Sequence, residues 1–146
     1  MKIAIGADHA GFVVKESLRK KLAAEGNEVV DFGTNSTESI DYPDFAALVG
    51  REVGEGRADR GILVCGTGVG MAMAANKIHG VRAAPLWSEA EAQLAREHND
   101  ANVAAFGARL IDEATAEKLT DIFLNTEFAG GRHARRIAKI AQLENS

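Results

Sequence analysis

The 146-residue chain has a single cysteine, Cys65, and the residues after it are Gly66-Thr67-Gly68-Val69-Gly70. A β-type run, Gly61-Ile62-Leu63-Val64, leads into it, and a small-residue helical stretch follows. A thiol at a strand end beside a helix start meets the positive end of the helix dipole, and as a thiolate it serves as nucleophile or base. A lone cysteine elsewhere is usually a small buried hydrophobe, so its position is what gives Cys65 chemical interest. The glycines fit neither common phosphate loop. Met71 stands where G-x-G-x-x-G needs its third glycine, and no Gly-Lys-Ser/Thr closes the turn as in a Walker loop. What Gly66, Gly68 and Gly70 offer is backbone N–H groups without side-chain hindrance at the start of a helix. Such donors favour a negative oxygen, whether of a phosphate or of an oxyanion formed during reaction. Thr67 can donate to the same oxygen. The plain alternative is a tight strand-to-helix turn.

Three further groups have the right chemistry. Asp8-His9 and His98-Asn99 pair a side chain able to hold or pass a proton with a polar neighbour, and histidine titrates near neutral pH. Read plainly, the first pair is a solvated loop and the second closes a helix. Arg132 and Arg136 are spaced i, i+4 and share a helix face, with His133 beside them and Gly130-Gly131 allowing close approach. Two guanidinium groups on one face match a phosphate dianion; the alternative is an ordinary solvated basic face. The histidines show no zinc spacing, so no metal is expected.

These residues need elements to position them. Strands are expected at Lys2–Gly6, Glu28–Asp31, Gly61–Cys65, Gly80–Ala84 and Asn102–Ala105, each short and bounded by Gly, Asp or Asn. Helical periodicity fills the intervals. Val14, Leu18 and Leu22 mark residues 11–25, with Gly26 as the stop; residues 42–54 and 69–77 follow. Ser88 and Glu91 form an S-x-x-E capping box for a helix towards His98, and Asp112 can cap another through about Leu124. The order alternates strand and helix throughout, which predicts one α/β domain over 1–146 with a parallel sheet covered on both faces. Ligands bind such sheets at the C-terminal strand ends, where Asp8-His9 and Cys65–Gly70 fall and where His98-Asn99, ending the helix before the fifth strand, is expected to converge with them. A last helix, RHARRIAKIAQL, sets Ile137, Ile140 and Ala141 on one face, as if to pack on a partner subunit.

The net charge of −4 lacks the basic face a nucleic-acid binder needs. One cysteine excludes an intrachain disulfide, and no apolar run approaches the roughly 20 residues that span a bilayer. The opening MKIAIGADHAG is interrupted by Asp8 and His9 and does not read as a signal peptide, so a soluble cytoplasmic protein is expected.

Taken together and in order, GADHAG, the DYP at 41–43, CGTGVG, REHND at 96–100 and GGRHARR at 130–136 closely resemble the type B ribose-5-phosphate isomerases, which group with the galactose-6-phosphate isomerases. The resemblance runs over essentially the whole chain. It implies a Rossmann-like α/β/α sandwich with a five-stranded parallel sheet and an extra C-terminal helix. It also implies a homodimer, sometimes paired into a tetramer, with each site built from both subunits. The implied reaction is cofactor-free, metal-free aldose–ketose isomerisation of a phosphorylated sugar. Cys65 matches the base that moves a proton between C1 and C2. Some members use a glutamate instead, but this chain has no carboxylate between 66 and 76. His98, from the partner subunit, matches the histidine that helps open the furanose ring; Asp8 stands opposite it and Thr67 assists. Gly66, Gly68 and Gly70 match the anion hole for the enediolate. Tyr42 and Asn99 match substrate contacts, and His9, Arg109, Arg132 and Arg136 match the phosphate cradle.

The resemblance makes ribose 5-phosphate and ribulose 5-phosphate the expected pair, with allose 6-phosphate or galactose 6-phosphate as six-carbon rivals. Trp87, in the bulky run Pro85-Leu86-Trp87 after the fourth strand, bears on that choice through pocket shape or simply packs. A non-catalytic nucleotide-binding module is a different class; it lacks an acidic ribose-binding residue at Rossmann spacing. A cysteine hydrolase pairing Cys65 with His98 is a third.

Overall fold

Side chains along the inner strands alternate between two apolar clusters, and that alternation sets the layers. The computed structural model describes Met1–Ser146 in full. Strands β1 (Lys2–Ala7), β2 (Glu28–Asp31), β3 (Arg60–Cys65), β4 (Ala83–Pro85) and β5 (Val103–Gly107) form one sheet in the order β2-β1-β3-β5-β4, with every pair parallel. Ile3, Ile5, Ile62, Val64, Ala104 and Phe106 point to one face. Ala4, Leu63, Cys65, Val103 and Ala105 point to the other. Period-two alternation sends neighbouring residues to opposite sides, so a parallel sheet buried on both faces reads as continuous apolar runs.

Helices α1 (Phe12–Ala24), α4 (Glu89–Glu97) and α5 (Glu113–Asn125) cover the first face through Val14, Leu18, Leu22, Ala92, Ala95, Leu119 and Phe123. Helices α2 (Tyr42–Gly54) and α3 (Val69–Ala75) cover the second through Ala46, Val49, Val53, Met71 and Ala72. Fully burying a side chain such as Leu18, Leu63 or Phe123 contributes roughly 1.5–3 kcal/mol. The capping residues act as expected. Ser88 and Glu91 make a reciprocal capping box on α4, and Asp112 accepts from Thr115 N–H at the start of α5. Helix α6 (Arg132–Leu143) differs from the rest: none of its residues is buried.

The fourth strand lies later than the sequence predicts. The expected span was Gly80–Ala84, and the ladder occupies Ala83–Pro85. The reason is Asn102, whose side chain accepts from Arg82 N–H at 2.7 Å and donates to Gly80 O at 2.8 Å. An amide side chain thus takes the backbone partners a strand would have used. The fifth strand likewise runs on to Gly107.

Candidate active site

In this order the chain leaves β1 towards β2 on one side and β3 lies on the other, so β1 and β3 flank the topological switch point, where doubly wound sheets bind ligands. Ala7 pairs with Val64, so the next residues, Asp8 and Cys65, emerge side by side from the C-terminal edge. Asp8 N–H donates to Val64 O at 3.1 Å.

Cys65 is 4% exposed, and its Sγ accepts the Gly68 N–H at 3.2 Å. Gly68 has φ +82°, a left-handed conformation that turns the chain into α3 and that a side chain would strain. Val69 N–H is taken by Thr67 Oγ1 at 3.3 Å. The amides of Gly66, Thr67, Gly70 and Met71 make no hydrogen bond within the chain. Four unpaired donors therefore lie in the loop that begins at this cysteine. The loop rests on bare backbone: a Cβ on Gly107 would lie 2.6 Å from Thr67 C and O.

A cleft of about 410 Å³ opens over this loop. Asp8 forms one wall; it is 6% exposed and its Oδ1 accepts Gly11 N–H at 3.0 Å. Tyr42 forms another, and its ring lies so close to Gly70 that a Cβ there would come within 2.5 Å of Cζ. Arg109 is held by its own N–H to Gly66 O at 3.0 Å, which sets its guanidinium beside Gly66. Val69 and Met73, which nothing in the sequence singles out, also line the cleft; Met73 is 64% exposed. An apolar residue on a short small-residue helix carries no chemical signal, so only the fold finds it.

The remaining expected residues are not in this cleft. His98 does not converge with Asp8 and Cys65 on one sheet edge as expected: it closes α4 just ahead of β5, at the N-terminal strand ends, and stacks on His133, with ring centroids 4.3 Å apart and planes 15° from parallel. Asn99 lines a separate cavity of about 560 Å³ between the middle and end of α6 and the β4 edge, together with Val81, Ala84, Ile140 and Leu143. Arg132 and Arg136 are exposed on α6. His9 is not among the residues lining the cleft, and its Nδ1 accepts Ile40 N–H at 3.2 Å. Trp87 is 42% exposed and does not line the cleft; its backbone N–H bonds the Glu91 carboxylate. Asp8, Tyr42, Cys65, Gly66, Thr67, Gly70 and Arg109 are thus assembled by one chain, with Gly68 behind them. The imidazole of His133 is held below its ordinary pKa by desolvation first, then by His98, Arg132 and Arg136.

The fold and the switch-point cleft define a doubly wound α/β/α protein with a thiol set in a loop of free amides. The profile described as Ribose/Galactose Isomerase matches residues 3–140, and the chain belongs to that family. It is 46% identical over 143 residues to the ribose-5-phosphate isomerase B of Escherichia coli, covering 98% of this chain and 96% of that one. Its structure is similar to that of the Clostridium thermocellum ribose-5-phosphate isomerase B, with TM-score 0.98 and 48% identity over 99% of this chain and 98% of the other. It is also similar to the Mycoplasma genitalium enzyme solved with bound ribulose-5-phosphate, with TM-score 0.96 and 45% identity over 99% and 97% of the two chains.

Proposed function

We propose that the chain, as one isomerase domain over 1–146, interconverts ribose 5-phosphate and ribulose 5-phosphate through an enediolate, with Cys65 as the carbon base. The observation that carries this is the sulfur of Cys65 set among the unpaired amides of Gly66, Thr67, Gly70 and Met71 in an open cleft. Membership of the isomerase family and the likeness to a relative holding ribulose-5-phosphate support the substrate.

The residues divide the work as the chemistry requires. Asp8 and Thr67, with His98, move the protons that open the furanose ring. The Cys65 thiolate then removes the C2 proton of the open aldose, leaving the thiol and an enediolate whose negative charge rests on O1. Backbone N–H groups of the glycine loop donate to that oxygen, a term worth about 2.7–4 kcal/mol per donor in comparable holes. The hydroxyl proton on O2 passes to O1 while the thiol returns its proton to C1, and ribulose 5-phosphate results. One base on one side of a planar intermediate serves both transfers. Tyr42 and Asn99 contact the sugar; His9, Arg109, Arg132 and Arg136 hold the phosphate and orient the reacting carbons from a distance.

The site is completed by a second copy. His98, Asn99, Arg132 and Arg136 lie off the cleft of their own chain, and α6 buries nothing. A homodimer, alone or paired into a tetramer, brings one chain's α4 end and α6 to the partner's cleft. Work in the cytoplasm, in pentose phosphate metabolism, fits this substrate.

The test is incubation with ribose 5-phosphate in heavy water followed by proton NMR. Ribulose 5-phosphate with deuterium at C1 is expected; the absence of both product and exchange refutes the assignment. The cleft is open at Met73, so chain length is tested by running allose 6-phosphate and galactose 6-phosphate alongside.

A further inference from the structure

His98 and Asn99 sit in a turn that is closed on itself twice. The backbone closes it first: Asp100 N–H donates to Arg96 O at 3.2 Å and Ala101 N–H to Ala95 O at 3.0 Å. Side chains close it again in the opposite sense, since Arg96 Nη1 donates to Asp100 Oδ1 at 2.8 Å. Arg96 is 3% exposed and is anchored twice more, to Ala101 O at 2.7 Å and, through Nε, to Thr126 O at 3.1 Å. Asp100 is the one non-glycine residue with positive φ, at +46°. Its second oxygen accepts from Arg82 Nη2 at 3.3 Å, and Arg82 Nε donates to Asp100 O at 2.9 Å.

Ending a helix does not call for this. A glycine in the left-handed position closes α1, where Gly26 has φ +91° and nothing around it. At the end of α4 an aspartate takes that conformation instead, and both its oxygens go to guanidinium groups from different parts of the fold. Arginine is almost never fully buried unless paired, so burying Arg96 to bind an adjacent turn calls for a reason. The arrangement ties the turn not only to its own helix but also to the segment entering β4 and to the chain leaving α5. What the turn carries is His98.

We propose that Arg96 and Asp100 are positioning residues for His98: through the Arg96–Asp100–Arg82 clamp they hold the imidazole where it transfers the ring-opening proton. This rests on the ring-opening role proposed for His98. The two halves of the reaction separate the effect. Ribose 5-phosphate is a closed furanose and needs ring opening before Cys65 can act. Ribulose 5-phosphate carries its phosphate on the hydroxyl that would close such a ring, so it is open, and exchange of its C1 hydrogen needs the base alone. A clamp that only stabilised the fold would lower both rates by the same factor.

The experiment compares ribose 5-phosphate turnover with C1 deuterium exchange into ribulose 5-phosphate in wild type, Asp100→Gly, Asp100→Asn and His98→Asn. Glycine tolerates the left-handed turn and keeps the backbone carbonyl that Arg82 Nε bonds, but loses both carboxylate contacts to arginine; asparagine keeps the turn and one acceptor. The ratio of turnover to exchange is expected to fall about 10- to 100-fold in Asp100→Gly, the scale of an ångström's misplacement of a reacting group, with a smaller fall in Asp100→Asn. Where Asp100→Gly does not fold, Asp100→Asn and Arg96→Lys make the same comparison. An unchanged ratio in the Asp100 variants, beside a lowered one in His98→Asn, overturns the inference alone. An unchanged ratio in His98→Asn overturns the ring-opening role and the inference with it.

Discussion

The Cys65 cleft and the corner formed by His98 and α6 belong to one proposed site but are built in opposite ways. The cleft grows out of the sheet. Cys65 is part of a buried cluster with Leu63 and Ala105, its loop lies on Gly107, and Asp8 is held by the neighbouring strand and by Gly11 N–H. In the corner, the His98 turn is clamped through Arg96 and Asp100, but α6 is an appendage. Helix α6 buries none of its residues and is tied down near its ends, by the His98–His133 stack and by Glu144 Oε1 accepting Gly80 N–H at 2.9 Å. Carbon-proton abstraction needs a base and an oxyanion hole that do not move during the step. A phosphate clamp only has to arrive. Rigidity is placed where charge develops, and the freer part carries guanidinium groups for a ligand's tail.

That contrast can be broken or sharpened by measurement. The largest effect is expected from Cys65→Ala, which should lower turnover by at least about a thousandfold, within the range for a general base, while sugar-phosphate binding by calorimetry persists. A fully active Cys65→Ala removes the base assignment. Gly107→Ala forces a methyl into Thr67 and should cost roughly 1–3 kcal/mol of stability and about a hundredfold in kcat, read by thermal melting and steady-state kinetics. Mixing Cys65→Ala with His98→Asn, each inactive alone, should restore about a quarter of wild-type activity, because random reassortment makes half the dimers mixed, with one intact site each. No recovery would mean that the cleft and the corner act within one chain. Arg136→Ala should raise KM about tenfold with a smaller change in kcat, the pattern for lost remote binding. The smallest effect concerns His133. Its folded pKa lies below the ordinary value of 6.5, so the unfolded chain binds more protons there and stability falls as pH drops through 6.5. His133→Gln should flatten that slope in melts between about pH 7 and 5; an unchanged slope argues against the shift.

The contrast also governs what the sequence makes legible. The sheet was readable because buried parallel strands are short apolar runs, and the loop because its glycines and cysteine adjoin each other. The Ser88–Glu91 and Asp112 caps are local chemistry and were equally plain. The stack of His98 on His133 was not, since it joins residues from two helices with no shared pattern. Lys15 shows the same limit. On a helical wheel it is an ordinary solvated lysine, yet it is fully buried, with Nζ bonded to both Asp31 oxygens at 3.0 and 2.9 Å and to Thr34 O at 2.7 Å. Only a tertiary partner distinguishes a buried cation from an exposed one. Arg96 is the same case: within REHND it has the spacing of a surface arginine, yet it is 3% exposed.

Because strand residues alternate sides, Cys65 shares its face of the sheet with Leu63, Met71 and Ala105, while Phe106, Leu119 and Phe123 fill the other. Repacking around Leu63 and Met71 is transmitted to the sulfur; repacking around Phe123 meets a whole layer of backbone first. Over evolutionary time the layer beneath the sulfur should therefore be nearly frozen, while the opposite layer is open to drift except where Phe123 meets the Arg96 guanidinium, and efforts to toughen the molecule are best directed at that opposite layer.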